Sequence, residues 1–177
     1  MDGSGSASAD AKAPAAASAA ALPEDGRPAA RANPASVLFM CGMNSIRSPM
    51  AEALAHTILP GSVYVASAGV RKGERDPFVD VVMEEMGLTL GRHQPHTLDD
   101  LEDDYFDLIV TLAPEAHHAA LELTRSMSVD VIYWPTPDPT VATGTREQIL
   151  DAYRAVRDHL ALLIRQRLAG GRKPTGN

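Results

Sequence analysis

From residue 35 onward the chain alternates short apolar runs with amphipathic stretches. Residues 35–41 (ASVLFMC) predict a buried strand. Residues 48–59 (SPMAEALAHTIL) predict a helix, with Pro49 suited to its first turn. A second strand follows at 62–67 and a second helix at 76–87, closed by Gly87. Residues 106–112 (FDLIVTL) read as a third strand, 114–124 as a helix opened by Pro114, and 129–134 (VDVIYW) as a fourth strand. The last helix, 145–168, has the clearest pattern. Thr145 and Gln148 form a capping box, and Ile149, Tyr153, Val156, Leu160, Leu163 and Ile164 recur at helical spacing. Strands alternating with helices predict an α/β domain with a parallel sheet covered on both faces, its ligand site beyond the carboxyl ends of the strands.

The first 34 residues break this pattern. They consist of Ala, Gly, Ser, Pro and scattered charges, with hardly any large apolar side chain to offset the entropy of ordering a backbone. A disordered tail is expected over 1–34 and a loose C-terminus over 171–177, leaving 35–170 as the folded domain. The start, Met1-Asp2-Gly3, lacks the basic and strongly apolar segments of a secretory signal.

Composition narrows the function. With 16 Lys+Arg against 23 Asp+Glu the net charge is −7, which gives no general attraction to nucleic acid or anionic membrane. No apolar run reaches 18 residues, so no membrane span is expected, and a cytoplasmic protein, monomeric or weakly dimeric, is the plain expectation. The 177 residues hold a single cysteine, Cys41, which excludes an internal disulfide and any cysteine-rich zinc site.

That cysteine ends the first strand, in CGMNSIRS, directly before the first helix. A short loop wrapped against a helix N-terminus turns backbone N–H groups inward and makes an anion-binding concavity. Gly42, Met43, Asn44, Ser45, Ile46, Arg47 and Ser48 would line it. Arg47 adds a planar two-pronged donor for phosphate oxygens. A thiol at the base of such a cup sits in a positive field that favours the thiolate, a nucleophile for phosphoryl transfer. Asn44 stands midway, where the chain needs a positive φ that Asn tolerates. The bland reading, a structural cysteine at a strand end beside a surface arginine, loses force because the loop falls between a strand and a helix.

The segment VLFMCGMNSIRSPMAEAL resembles the active-site segment of the low-molecular-weight protein tyrosine phosphatases and of the related thiol-dependent arsenate reductases. The resemblance runs from about residue 36 to residue 168 and is strongest here, at SAG (67–69), at the His93 loop and at Asp138-Pro139. It implies a four-stranded parallel sheet in order 2-1-3-4, a flavodoxin-like three-layer sandwich. It also implies a phosphocysteine mechanism without metal or other cofactor, acting on a phosphorylated protein or a small-molecule phosphate. By position it makes Cys41 the nucleophile, Arg47 the phosphate binder and Asp138 the general acid and base. Asn44, Ser48, Ser67 and His93 become the hydrogen-bonded support, with Ser48 donating toward the thiolate.

The departures matter as much. Phosphotyrosine-directed members carry tyrosines after the Asp-Pro pair and an aromatic in the loop after SAG. Here Thr140, Val141 and Ala142 follow Pro139, and the loop reads VRKGERD. Its Arg71, Lys72 and Arg75 either attract an anionic substrate or form a solvated charged loop, the plainer reading. In the arsenate reductases that couple to thioredoxin, a resolving cysteine stands where this chain has Ala113, so arsenate reduction would need an external thiol or a redoxin. A third possibility is a catalytically idle module that binds phosphate or a phosphoprotein. His93, His96, His117 and His118 have no spacing that fixes a metal site. Trp134 either walls the pocket or joins the core, and Met83 and Met86 are expected to fill the core.

Overall fold

The computed structural model describes residues 33–170, so of the segments expected to be loose, 1–34 and 171–177, all but Asn33 and Pro34 lie outside the described residues, and Pro34 is buried. Four strands, β1 (Ser36–Cys41), β2 (Tyr64–Gly69), β3 (Leu108–Thr111) and β4 (Asp130–Tyr133), form one parallel sheet in the order β2-β1-β3-β4. Four helices connect or follow them: α1 (Arg47–Ile58), α2 (Pro77–Glu84), α3 (Pro114–Leu123) and α4 (Arg146–Leu163). The strand order reverses direction at β1, so the loop after β1 occupies the switch point where such sheets leave a crevice.

The period of two along each strand sorts the side chains onto two faces. Val37, Phe39 and Cys41 of β1 join Val65, Leu108, Val110 and Ile132 in the core under α1, α2 and α4. Leu38 and Met40 join Ala66, Ala68 and Ile109 in a smaller core under α3. Cys41 and Ser67 therefore face the α1 side by parity alone. Phe39, Met50, Leu54 and Leu160 are fully or almost fully buried, each contributing roughly 2–3 kcal/mol by leaving water. Trp134 belongs to this core, its ring 6.3 Å from that of Phe39. Met83 is buried as expected, whereas Met86, just past α2, is 38% exposed.

Most element ends lie within one or two residues of the sequence pattern, and three differences have a structural reason. β2 runs two residues later, because Ala68 and Gly69 continue the ladder by pairing with Met40 and Cys41. α2 stops at Glu84, and its chain turns at Gly87, where φ is 71°. The last helix is α-helical only to Leu163 and then widens into a π turn over Ile164–Leu168. That wider turn keeps Ile164 and Leu168 both buried while Arg165 and Arg167 stay in water.

Candidate active site

The loop after β1 is built by outward-facing carbonyls. Cys41 O, Gly42 O and Met43 O accept from the amides of Val70, Arg71 and Gly73 at 3.1, 2.8 and 2.9 Å. Asn44 O faces His93 Nε2 at 3.1 Å. In a trans peptide C=O and N–H point opposite ways, so the amides of residues 42–45 turn toward the inside of the curve. Asn44 has φ 54°, which reverses the chain so that the loop can close. No side chain caps the N-terminus of α1, leaving its positive end open to the loop. Gly69 is required behind it, since a Cβ there would fall 2.8 Å from Asn44 N and 2.5 Å from Arg71 O.

This loop floors a cavity of about 550 Å³. Cys41, Met43, Ser45, Ile46 and Arg47 line it from below and Asp138 and Thr140 from the β4 side. Arg47 is aimed by Nη1 donating to Thr136 O at 2.9 Å, so the segment after β4 holds the guanidinium in place. Gly42, Asn44 and Ser48 do not line the cavity; all three are buried behind it.

Behind the thiol is a chain of polar side chains. Ser48 Oγ lies 3.0 Å from Cys41 Sγ. Asn44 Nδ2 donates to Ser48 Oγ and to Ser67 Oγ, each at 3.0 Å. Asn44 Oδ1 accepts the backbone N–H of His96 at 3.0 Å. Ser67 Oγ donates onward to Glu52 Oε2 at 2.5 Å, and His96 Nε2 lies 2.6 Å from Ser67 O. All of the support residues named from the sequence thus meet here. Glu52 and His96 were missed; the only signal for them was proximity in sequence to residues already named. Among the described residues no group of three His, Cys, Asp or Glu side chains could hold a metal ion.

Asp138 caps the short turn Pro139–Val141, accepting from Thr140 N at 2.9 Å and Thr140 Oγ1 at 2.7 Å. Burial pushes its carboxyl up. The two Thr140 bonds and the Arg47 charge outweigh that and hold it below the ordinary aspartate range.

The upper wall was not foreseen. Phe78 and Tyr153 line the cavity, with ring centroids 5.4 Å apart, although neither stands directly after Asp138-Pro139 or lies in the loop after β2. Tyr153 donates to Asp76 Oδ2 at 2.7 Å, and burial together with that carboxylate pushes its phenol well up, so it stays protonated. In the sequence Tyr153 reads only as one more apolar position of the last helix. Val141, at the place where an aryl clamp was sought, is 78% exposed and outside this cavity. The basic loop resolves into ion pairs: Arg71 with Glu115 at 3.5 Å, Lys72 with Asp100 at 3.4 Å and Arg75 with Asp80 at 2.7 Å. Only Arg75 of the three lines the cavity, and it is also tied to the carbonyls of Gly91 and His93.

The family model of the low molecular weight phosphotyrosine protein phosphatases matches residues 36–168. An arsenate reductase of Halalkalibacterium halodurans is 30% identical over 129 residues, which cover 73% of this chain and 91% of the relative. A glutaredoxin arsenate reductase of Synechocystis is 29% identical over 122 residues, 68% and 86% of the two chains. A solved arginine phosphatase from Geobacillus stearothermophilus superposes with a TM-score of 0.65 at 26% identity, covering 77% of this chain and 92% of its own.

Proposed function

The chain belongs to the low molecular weight phosphotyrosine protein phosphatase family, and from that premise we propose that it hydrolyses phosphomonoesters through a phosphocysteine. The observation that carries the reading is one cavity holding Cys41 on its floor, Arg47 beside it and Asp138 across from it. Each has the chemistry its place demands. Cys41 thiolate attacks phosphorus, forming the S–P bond as the P–O bond to the leaving group breaks. Inward amides and the Arg47 guanidinium hold the three non-bridging oxygens, where charge spreads in the transition state. Asp138 delivers its proton to the departing oxygen.

Thr140 and Arg47 favour the ionised Asp138, while a phosphate dianion in the cup opposes ionisation of the neighbouring carboxyl. Substrate binding and acid protonation are therefore coupled. In the second step the Asp138 carboxylate takes a proton from water as the water oxygen bonds to phosphorus and the S–P bond breaks. Inorganic phosphate leaves and Cys41 returns as thiolate, with Ser48 donating to it. Phe78, Tyr153 and Met43 offer an apolar wall to the leaving group, which suits an aryl phosphate such as phosphotyrosine.

Arsenate reduction is the second reading, favoured by the names of the curated relatives. With one cysteine in the chain and Ala113 at the N-cap of α3, no internal disulfide can form. Cys41 thiolate would bond to arsenic as a protonated arsenate oxygen leaves as water; an external thiolate would then attack Cys41 sulfur, and arsenite would leave with the As–S electron pair, giving a mixed disulfide between Cys41 and that thiol.

Steady-state hydrolysis of an aryl phosphate with chelator present, wild type beside Cys41→Ser, tests the proposal. Phosphate release that requires Cys41 is expected. Release that survives in Cys41→Ser overturns the mechanism, and silence with thiol-dependent arsenite production in parallel wells transfers the chain to the second reading.

A further inference from the structure

We propose that Glu52, on α1 and outside the catalytic cavity, is a positioning residue that fixes the Ser67 hydroxyl as an acceptor for Asn44 and so steadies the hydrogen-bonded support of Cys41. The inference builds on the phosphocysteine reading, since the Cys41 thiolate is the group Glu52 serves. It follows from counting protons. Ser67 and Ser48 each own one hydroxyl proton, and the Asn44 amide owns two. A carboxylate only accepts, so the 2.5 Å contact commits the Ser67 proton to Glu52 Oε2. Ser67 Oγ is then an acceptor for Asn44 Nδ2. The His96 backbone N–H occupies Asn44 Oδ1, so the amide cannot flip, and its second proton goes to Ser48 Oγ. Ser48, having accepted, gives its own proton to Cys41 Sγ at 3.0 Å; the other acceptor in reach, Ala68 O, is 3.5 Å away.

The chain thus begins on one acceptor and ends on another, with Asn44 donating in both directions. Removing the first acceptor releases the Ser67 hydroxyl, whose proton can then point at the Asn44 N–H it must receive. Asn44, held at φ 54°, then loses one of the bonds that keep it there, and the distance from its amide to Ser48, and from Ser48 to Cys41, is held less tightly. Glu52 is suited to the task because it is anchored and partly screened. Its side chain is 26% exposed, and its second oxygen lies 3.7 Å from His56 one helical turn on. Pro49, His56 and His93 share the surface hollow it lines.

A competing account treats Glu52 only as a negative charge near the thiolate. The two accounts predict opposite signs. As a charge, Glu52 disfavours the thiolate, so both Glu52→Ala and Glu52→Gln should speed alkylation of Cys41. As a positioning acceptor, Glu52→Ala should slow it, while Glu52→Gln should restore it, because the amide oxygen can still take the Ser67 proton.

The experiment is iodoacetamide labelling of the full chain near pH 6, where the single cysteine makes the readout unambiguous, beside kcat/KM on an aryl phosphate. For Glu52→Ala we expect both rates to fall roughly tenfold, the size expected when a buried hydrogen-bonded pair is broken. For Glu52→Gln we expect recovery to within about threefold of wild type. Labelling of Glu52→Ala at or above the wild-type rate overturns the proposal. If Glu52→Ala fails to fold, Ser67→Ala with and without Glu52→Gln decides: with the link cut, the second change must have no further effect, and an independent effect overturns the proposal. If the wild type labels but hydrolyses nothing, the phosphatase reading fails, and the order of labelling rates still decides the role of Glu52.

Discussion

Asn44 is the residue on which the loop turns, and its replacement separates two physical contributions. Its side chain is fully buried and makes three hydrogen bonds, to Ser48 Oγ, to Ser67 Oγ and from His96 N. Truncation leaves those groups buried with their partner gone, and at about 1–1.5 kcal/mol each the loss is roughly 3–4 kcal/mol. The backbone adds a second term. At φ 54° an alanine carries strain of about 1–2 kcal/mol, which glycine does not, while glycine costs about 0.5–1 kcal/mol more to order from the unfolded chain. Asn44→Gly should therefore be less stable than wild type by about 4 kcal/mol, and Asn44→Ala worse again by about 0.5–1 kcal/mol. Urea unfolding of the two variants beside wild type measures both quantities. A loss below about 1 kcal/mol in either variant would show that the three bonds are not what holds the loop, given their usual size. Glycine at or below alanine in stability would show that the positive φ is not a cost.

Other outcomes follow from the same geometry. Thr140→Val removes the hydroxyl that donates to Asp138 while keeping the side-chain shape, so one of the forces favouring the carboxylate goes and the Asp138 pKa must rise. The acid form then persists to higher pH, and the alkaline limb of the pH–rate profile should move up; no movement, or a downward one, refutes the assignment of Asp138 as acid. Linkage has the matching sign: a depressed carboxyl stabilises the fold above its unfolded pKa and loses that contribution as pH falls, so Thr140→Val should begin acid unfolding at higher pH, read by circular dichroism. Gly69→Ala pushes a Cβ into the backbone of Asn44 and Arg71, and turnover of an aryl phosphate should fall at least tenfold with the far-ultraviolet spectrum kept. Phe78→Ala opens the upper wall and should raise KM for an aryl phosphate several-fold while leaving inhibition by inorganic phosphate nearly unchanged.

Much of the fold was legible because it is local. The capping box at Thr145 and Gln148 is present with both reciprocal bonds, and Pro114 opens α3. The strand-loop-helix run around Cys41 carried the site, since residues 41–48 bind one another's neighbours through backbone geometry that a short sequence dictates. What could not be read was direction and distance between segments. The charges of Arg71, Lys72 and Arg75 left open whether they attract an anion or form a solvated loop, the plainer reading, and nothing in the sequence signalled that Glu115, Asp100 and Asp80 would pair with all three. An aromatic wall was sought after Asp138 and stands instead on α2 and α4.

The sequence by itself determined the alternation of strands and helices, the place of the thiol at a strand end and the residues of the loop between β1 and α1, because these depend on periodicity and on neighbours within a few positions. Only the tertiary structure decided that Thr136 aims Arg47, that Thr140 and Arg47 depress Asp138, and that Tyr153 and Phe78 close the cavity. It alone joined Glu52 to Cys41 through Ser67, Asn44 and Ser48. The physical reason is that these contacts link side chains from different elements, whose meeting is set by strand register and helix packing, and a hydrogen bond between them exists or not within a few tenths of an ångström.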